Sequence, residues 1–183
     1  CVGAKYTLVL VKAWQTERAA GQLAECLAPN GLAITLQNGL GNYETLVQHL
    51  GLGRVALGAI TTGATLLGPG LALAGGEGIL SIQRDQALDP LEAGLRSAGF
   101  NVQVVEDAQS IVWGKLVVNA AINPITALLR VPNGELLERP PAREMMRRLA
   151  LEAASVARAE KIALPFDDPV TAVVIAPVRT AGE

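Results

Sequence analysis

Three side chains able to do chemistry stand four residues apart in an otherwise apolar stretch: Lys115, Asn119 and Asn123 in WGKLVVNAAINP (113–124). A helix turns about 100° per residue, so positions four apart differ by only about 40° and the three form one gently winding file. Ile111, Val112, Leu116, Val117, Val118 and Ile122 surround them. A lysine or an amide buried there without partners is costly, and an anionic, hydroxylated ligand would satisfy all three. Lysine is a cationic hydrogen-bond donor at neutral pH, and burial would lower its pKa and ease release of its proton. Carboxamides both donate and accept, which suits a ligand with an acid at one end and an alcohol at the other. The alternative is that Lys115 snorkels to the surface and the asparagines bond neighbouring loops. Pro124 removes the helical donor of the Ala120 carbonyl and predicts a kink beside the file. Asn133, in PNGEL (132–136), follows the end of that predicted helix.

The elements that must position these residues change character along the chain. YTLVLVKA (6–13) and LAITLQ (32–37) read as buried parallel strands, with a helix over QTERAAGQLAECLA (15–28) that PNG (29–31) stops. NGLGNYETLVQHLG (38–51) is a Gly-punctuated turn opening a helix, and VALGAITTGATLLGPG (55–70) a strand with a Gly-rich exit. GILSIQ (78–83) predicts a strand, DPLEAGLRSAGF (89–100) a helix with Asp89 as N-cap, and NVQVVED (101–107) another strand. That alternation argues for an open α/β sheet over residues 1–106. From Ala108 onward the periods are helical. AQSIVWGKLVVNAAINPITALLRV (108–131) reads as a core helix. PPAREMMRRLALEAASVARAEKIALP (140–165) reads as an amphipathic one, with Met145, Met146, Leu149, Ala153 and Val156 inward. A third helix is expected from about Asp168. The expected organisation is thus part of an α/β domain (1–106) followed by part of an all-helical one (107–183).

Two further positions could meet a ligand at the sheet. Asn38 stands where a strand hands over to a Gly-rich turn, the edge of an α/β sheet where ligands collect; Gly39 and Gly41 would let a backbone approach closely. An ordinary Asn-Gly turn is the competing explanation. Lys12 closes the first predicted strand, where it is either a cap or a contact for a phosphate or ribose. Trp14 and Trp113 read as packing residues and His49 as a solvent-facing one.

Composition excludes several classes. Half the 183 residues are hydrophobic and 17% charged, with a net charge of -2 and 3% aromatics, so neither the basic footprint nor the stacking platforms of a nucleic-acid binder are present. No apolar run is expected to approach the roughly 20 residues of a membrane span. Cys1 and Cys26 have no metal-ligand spacing and suggest reduced thiols in a cytoplasmic protein. No metal is expected, and one histidine excludes mechanisms that need two.

LVKAWQT (10–16), LQNGLG (36–41), WGKLVVNAAINPITAL (113–128) and PNGEL (132–136), in this order, resemble the ketopantoate reductase (2-dehydropantoate 2-reductase) family within the wider 6-phosphogluconate dehydrogenase-like group. The resemblance covers essentially the whole chain, and its Trp-x-Lys-x-x-x-Asn-x-x-x-Asn-Pro block is specific. It implies a Rossmann-type sheet followed by a helical domain. It implies NADPH-dependent reduction of ketopantoate to (R)-pantoate on the route to pantothenate and coenzyme A. Carried over by position, Lys115 is the catalytic lysine and proton donor, and with Asn119, Asn123 and Asn133 it binds substrate. Lys12, Asn38 and Ala64 match positions that meet NADPH, with the poorest local match at Ala64 in GAITTGAT (58–65). The implied partner is a small keto acid, with neither nucleic acid nor membrane, and the implied assembly a homodimer.

The family's opening Gly-x-Gly-x-x-Gly turn, which seats a pyrophosphate on a helix N-terminus, is absent, as are a Ser-containing substrate loop and an acidic residue beyond VRTAGE (178–183). The chain is therefore expected to be an internal piece of the enzyme that binds NADPH poorly and lacks activity on its own. Two alternatives stay open: a related reductase of another 2-keto or 3-hydroxy acid, and a non-catalytic ligand-binding or oligomerisation domain.

Overall fold

The computed structural model describes residues 2–75 and 78–180. It divides into two compact units, Cys1–Val112 and Trp113–Glu183.

The first unit is built on five strands in the order β1 (Ala4–Val9), β2 (Leu27–Thr35), β3 (Val55–Ile60), β6 (Ile79–Gln83), β7 (Asn101–Val105). Pairs β1–β2, β2–β3 and β6–β7 are parallel. One face packs Val9, Ala33 and Val55 against Ala20 and Leu23 of α1 (Thr16–Cys26) and Leu46 and Leu50 of α2 (Asn42–Leu50). The opposite face packs Ile34, Leu36, Leu80 and Ile82 near Leu91 and Leu95 of α3 (Asp89–Ser97). β2 therefore buries both its faces, which is why it reads as an unbroken apolar run.

Three details depart from the sequence expectation. β3 and β6 are antiparallel, because no helical crossover joins them, and a parallel return needs one. The intervening segment forms a separate hairpin instead, β4 (Gly63–Gly68) with β5 (Leu71–Gly75); its glycines disfavour a helix. PNG (29–31) lies within β2 rather than ending a helix before it. There the register jumps from Ala4↔Leu27 to Tyr6↔Leu32, and the extra residues are tied down by Arg54, which donates to the carbonyls of Ala28 (2.6 Å) and Gly31 (3.4 Å). Such an irregularity is where a strand tolerates proline. Finally, Asp85 rather than Asp89 is the capping carboxylate before α3, accepting from the Ala87 N–H.

Helix α4 (Ala108–Leu129) starts in the first unit, where Asp107 accepts from the Ser110 N–H. The second unit packs Val117, Ala121, Ile122 and Ile125 of α4 against α5 (Pro140–Ala159), α6 (Pro169–Thr180) and a 3-10 turn over Asn133–Glu138. The buried face of α5 is Ala142, Met146, Ala150, Ala154 and Ala157; of the expected face, Met146 is buried and Leu149 and Ala153 pack against this core, while Met145 and Val156 are about half exposed. Alanines carry little hydropathy, so the pattern points at the larger side chains beside them, yet small residues are what allow close helix approach. Contrary to the expectation that no apolar run approaches a membrane span, the 22-residue α4 is long and apolar enough to cross one, an 18-residue stretch of it having a mean hydropathy of 1.4. Its buried stripe in the core of the second unit and its polar file mark it as a core helix.

The expectation of reduced cysteines concerns Cys26 together with Cys1, which lies outside the described residues. Trp14 is 82% exposed, so only Trp113, which is buried, can be the packing residue expected of both.

Candidate functional site

In the first unit, β3 is shared in two halves: residues 55–57 pair with the end of β2, and residues 58–60 with β6. The C-terminal ends of β2 and β6 consequently converge on Leu57, whose N–H is 3.4 Å from Gln83 Oε1. A cleft of about 310 Å³ opens there, walled by Gln37, the Gly39–Glu44 turn, Gln83 and the Glu106–Gln109 entry to α4. Gly39 (φ 89°) and Gly41 (φ 86°) adopt the left-handed backbone that favours glycine. Space is open where a Cβ would stand on either.

Asn38 is exposed between two lining residues, Gln37 and Gly39. Its carbonyl accepts from Asn42 Nδ2 at 3.2 Å. Lys12 does not close a strand, because β1 ends at Val9. It lies exposed in the following turn, its N–H donating to Gln15 Oε1 at 3.1 Å. The backbones around Lys12 and Asn38 are joined by Gln37 Nε2, which donates to the Val11 carbonyl at 2.7 Å. Ala64 stands apart, exposed on the β4–β5 hairpin. His49 is exposed, as expected, and pairs with Glu17 at 3.2 Å.

In the second unit, Lys115, Asn119 and Asn123 form the expected file on α4. Residues 117, 121 and 125 are two positions away, about 200° round the helix, so the file runs along the side roughly opposite the core stripe. Lys115 and Asn119 are half-buried, and Asn123 is exposed. Burial lowers the Lys115 pKa from its ordinary value, which eases proton release while leaving the group reachable. Asn133 is half-buried at the start of the 3-10 turn after α4. Around Pro124, Thr126 Oγ1 donates to the Asn123 carbonyl at 2.9 Å and is 3.3 Å from the Ile122 carbonyl, and the helix continues through the proline.

Sequence reasoning passed over several residues. Gly114, beside the lysine, is where the 165–166 segment touches α4: a Cβ would stand 2.5 Å from Pro165 Cγ and 3.3 Å from Phe166 Cε1. Thr16, Thr35, Gln37 and Asn42 are buried polar residues behind the Asn38 turn. Thr35 and Gln37 could have been noticed as polar positions two apart inside an apolar strand. Nothing local marks Thr16.

Among the described residues no cluster of histidine, cysteine and carboxylates is arranged to hold a metal. The cleft is at the small end of ligand pockets, large enough for one ring system, and has polar walls and a glycine flank without side chains.

Comparison with known proteins agrees with these features. The family model described as "Ketopantoate reductase PanE/ApbA" matches residues 3–86, and that described as "Ketopantoate reductase PanE/ApbA C terminal" matches residues 107–182. The 2-dehydropantoate 2-reductase of Archaeoglobus fulgidus is 42% identical over 159 residues, which are 84% of this chain and 52% of the relative. That of Halobacterium salinarum is 35% identical over 167 residues, 88% of this chain and 54% of the relative. The chain thus spans about half the length of these curated relatives. Among solved structures, a PanE/ApbA family ketopantoate reductase from Ralstonia eutropha JMP134 superposes with a TM-score of 0.85 at 32% identity, over 99% of this chain and 59% of that one.

Proposed function

The chain belongs to the ketopantoate reductase family, and from that premise we propose that the protein containing it reduces ketopantoate to (R)-pantoate with NADPH, serving pantothenate and coenzyme A synthesis in the cytoplasm. The single observation carrying this reading is Lys115: a half-buried ammonium with a lowered pKa, one helical turn from a half-buried carboxamide. The division of labour follows the expected domains, cofactor contacts in 1–106 and substrate contacts in 107–183.

The reduced nicotinamide, when bound, supplies a hydride to the C2 ketone. Negative charge then grows on the ketone oxygen, and catalysis requires a donor aimed at it and a proton to quench it. Lys115 Nζ fills both roles, first polarising the carbonyl and then protonating the alkoxide. Asn119, Asn123 and Asn133 hold the substrate's carboxylate and hydroxyl through amide groups that donate and accept. Lys12 and Asn38 contact the cofactor, as does Ala64 through the hairpin. The preference for NADPH over NADH and the homodimer rest on the family alone; dissociation constants for both nucleotides and sedimentation of the whole protein test them.

The direct experiment mixes the whole protein with NADPH and a panel of 2-keto acids and follows the nicotinamide absorbance. Ketopantoate-dependent oxidation yielding (R)-pantoate is the expected result. Preference for another 2-keto acid would move the proposal to a related reductase, and no oxidation with any would favour a non-catalytic domain.

A further inference from the structure

Four of the six buried polar residues among the described residues are gathered behind one turn: Thr16, Thr35, Gln37 and Asn42. Polar groups are costly to bury unless every one is satisfied, and these satisfy each other in an unbroken chain. Gln37 Nε2 donates to the Val11 carbonyl (2.7 Å) and to Thr16 Oγ1 (2.8 Å), and Gln37 Oε1 accepts from Thr35 Oγ1 (3.1 Å). Thr16 Oγ1 in turn donates to Asn42 Oδ1 at 2.8 Å, and Asn42 Nδ2 donates to the Asn38 carbonyl at 3.2 Å. The two ends of the chain are backbone carbonyls, those of Val11 and Asn38. One precedes Lys12 and the other belongs to Asn38, so the network ties together the two segments that carry the proposed cofactor contacts on the 1–41 stretch.

We propose that Gln37, Thr16 and Asn42 are positioning residues that set the Asn38 turn and the Lys12 segment at a fixed separation for the nicotinamide cofactor. The proposal rests on the reading of Asn38 and Lys12 as cofactor contacts. A turn leaving a strand end has no backbone ladder of its own, so its exact placement must come from side chains. Apolar packing could support the same turn from beneath but would not specify which carbonyl faces which donor; a network of directed bonds does. Thr16 is its pivot, because the hydroxyl accepts from Gln37 and donates to Asn42, using both its capacities. Valine has the same shape and neither capacity, whereas serine keeps both.

The test uses the whole protein with Thr16→Val and Thr16→Ser, measuring the NADPH dissociation constant by nicotinamide fluorescence, the steady-state constants for ketopantoate, and the thermal midpoint. Thr16→Val removes both of its hydrogen bonds and, by loosening the turn, should weaken NADPH binding by roughly fivefold, leaving the ketopantoate KM within about twofold. Thr16→Ser should bind NADPH as the parent does. Should Thr16→Val not fold, Asn42→Asp, which keeps the acceptor for Thr16 and loses the donor to Asn38, is measured in the same way and should show the same split. A lowered thermal midpoint with unchanged NADPH binding, or equal losses in Thr16→Val and Thr16→Ser, overturns the positioning role alone. No NADPH binding by the parent protein overturns the cofactor reading and this role with it.

Discussion

The two units handle polarity in opposite ways. All six buried polar residues among the described residues fall within Cys1–Val112, and none falls within the second unit. The second unit instead carries its polar groups half-buried or exposed along α4, opposite an apolar stripe. The cause is the backbone each must control. Side chains on α4 project from a helix whose N–H and C=O groups satisfy one another, so the file needs no polar scaffold. The Asn38 turn stands at a strand end, has no such ladder, and borrows its order from Thr16, Gln37 and Asn42. On the proposed reading, the polarity hidden inside the first unit positions the cofactor turn, and the polarity along α4 meets the substrate.

Replacing Lys115 with alanine gives the sharpest break in that comparison. Loss of a positioned proton donor should lower turnover of ketopantoate by about 10²–10⁴-fold while the NADPH dissociation constant stays within about twofold, since the lysine belongs to the reacting half. Equal losses in both would blur the division between the halves.

Helix glycines sharpen the contrast at the level of stability. Gly114→Ala should destabilise the protein by about 1–3 kcal/mol, the usual penalty of overpacking, because its Cβ meets Pro165 at 2.5 Å. Gly94→Ala in α3 meets nothing within 4 Å and should stabilise by up to about 1 kcal/mol. Urea midpoints read both, and a stabilising Gly114→Ala would show that the 165–166 segment does not press on α4.

The smallest effect concerns Glu144 on α5. Hydrogen bonds from Arg147 and then Arg148 hold its carboxyl down at about 2. A depressed carboxylate contributes stability above its ordinary range and loses it as pH falls, here between the usual carboxylate range and about pH 2. Lying at the surface, the cluster is screened. Glu144→Gln should therefore shift the urea midpoint slightly at neutral pH, less at high salt, and not at all near pH 2.

Much of the architecture could be read from periodicity alone. α4, α5 and α6 stand close to where their patterns placed them, because long helices announce themselves over several turns. The antiparallel β3–β6 joint and the β4–β5 hairpin could not be read, since Gly-rich segments do not state their pairing partner. The Lys115 file was legible because three polar residues share one helical stripe, and its placement opposite the core was not, because α4 is apolar on nearly every side. Thr16 escaped notice for a different reason: its role depends on Gln37 and Asn42, more than twenty residues away in sequence.

The pH dependence of kcat tests the central claim, that Lys115 delivers the proton, most directly. In the whole protein kcat should fall as pH rises through a single ionisation lying below the ordinary lysine range, following the burial that lowers the Lys115 pKa, and the residual activity of Lys115→Ala should lack that limb. A rate that stays flat into the ordinary lysine range, or an unchanged limb in Lys115→Ala, would contradict the account.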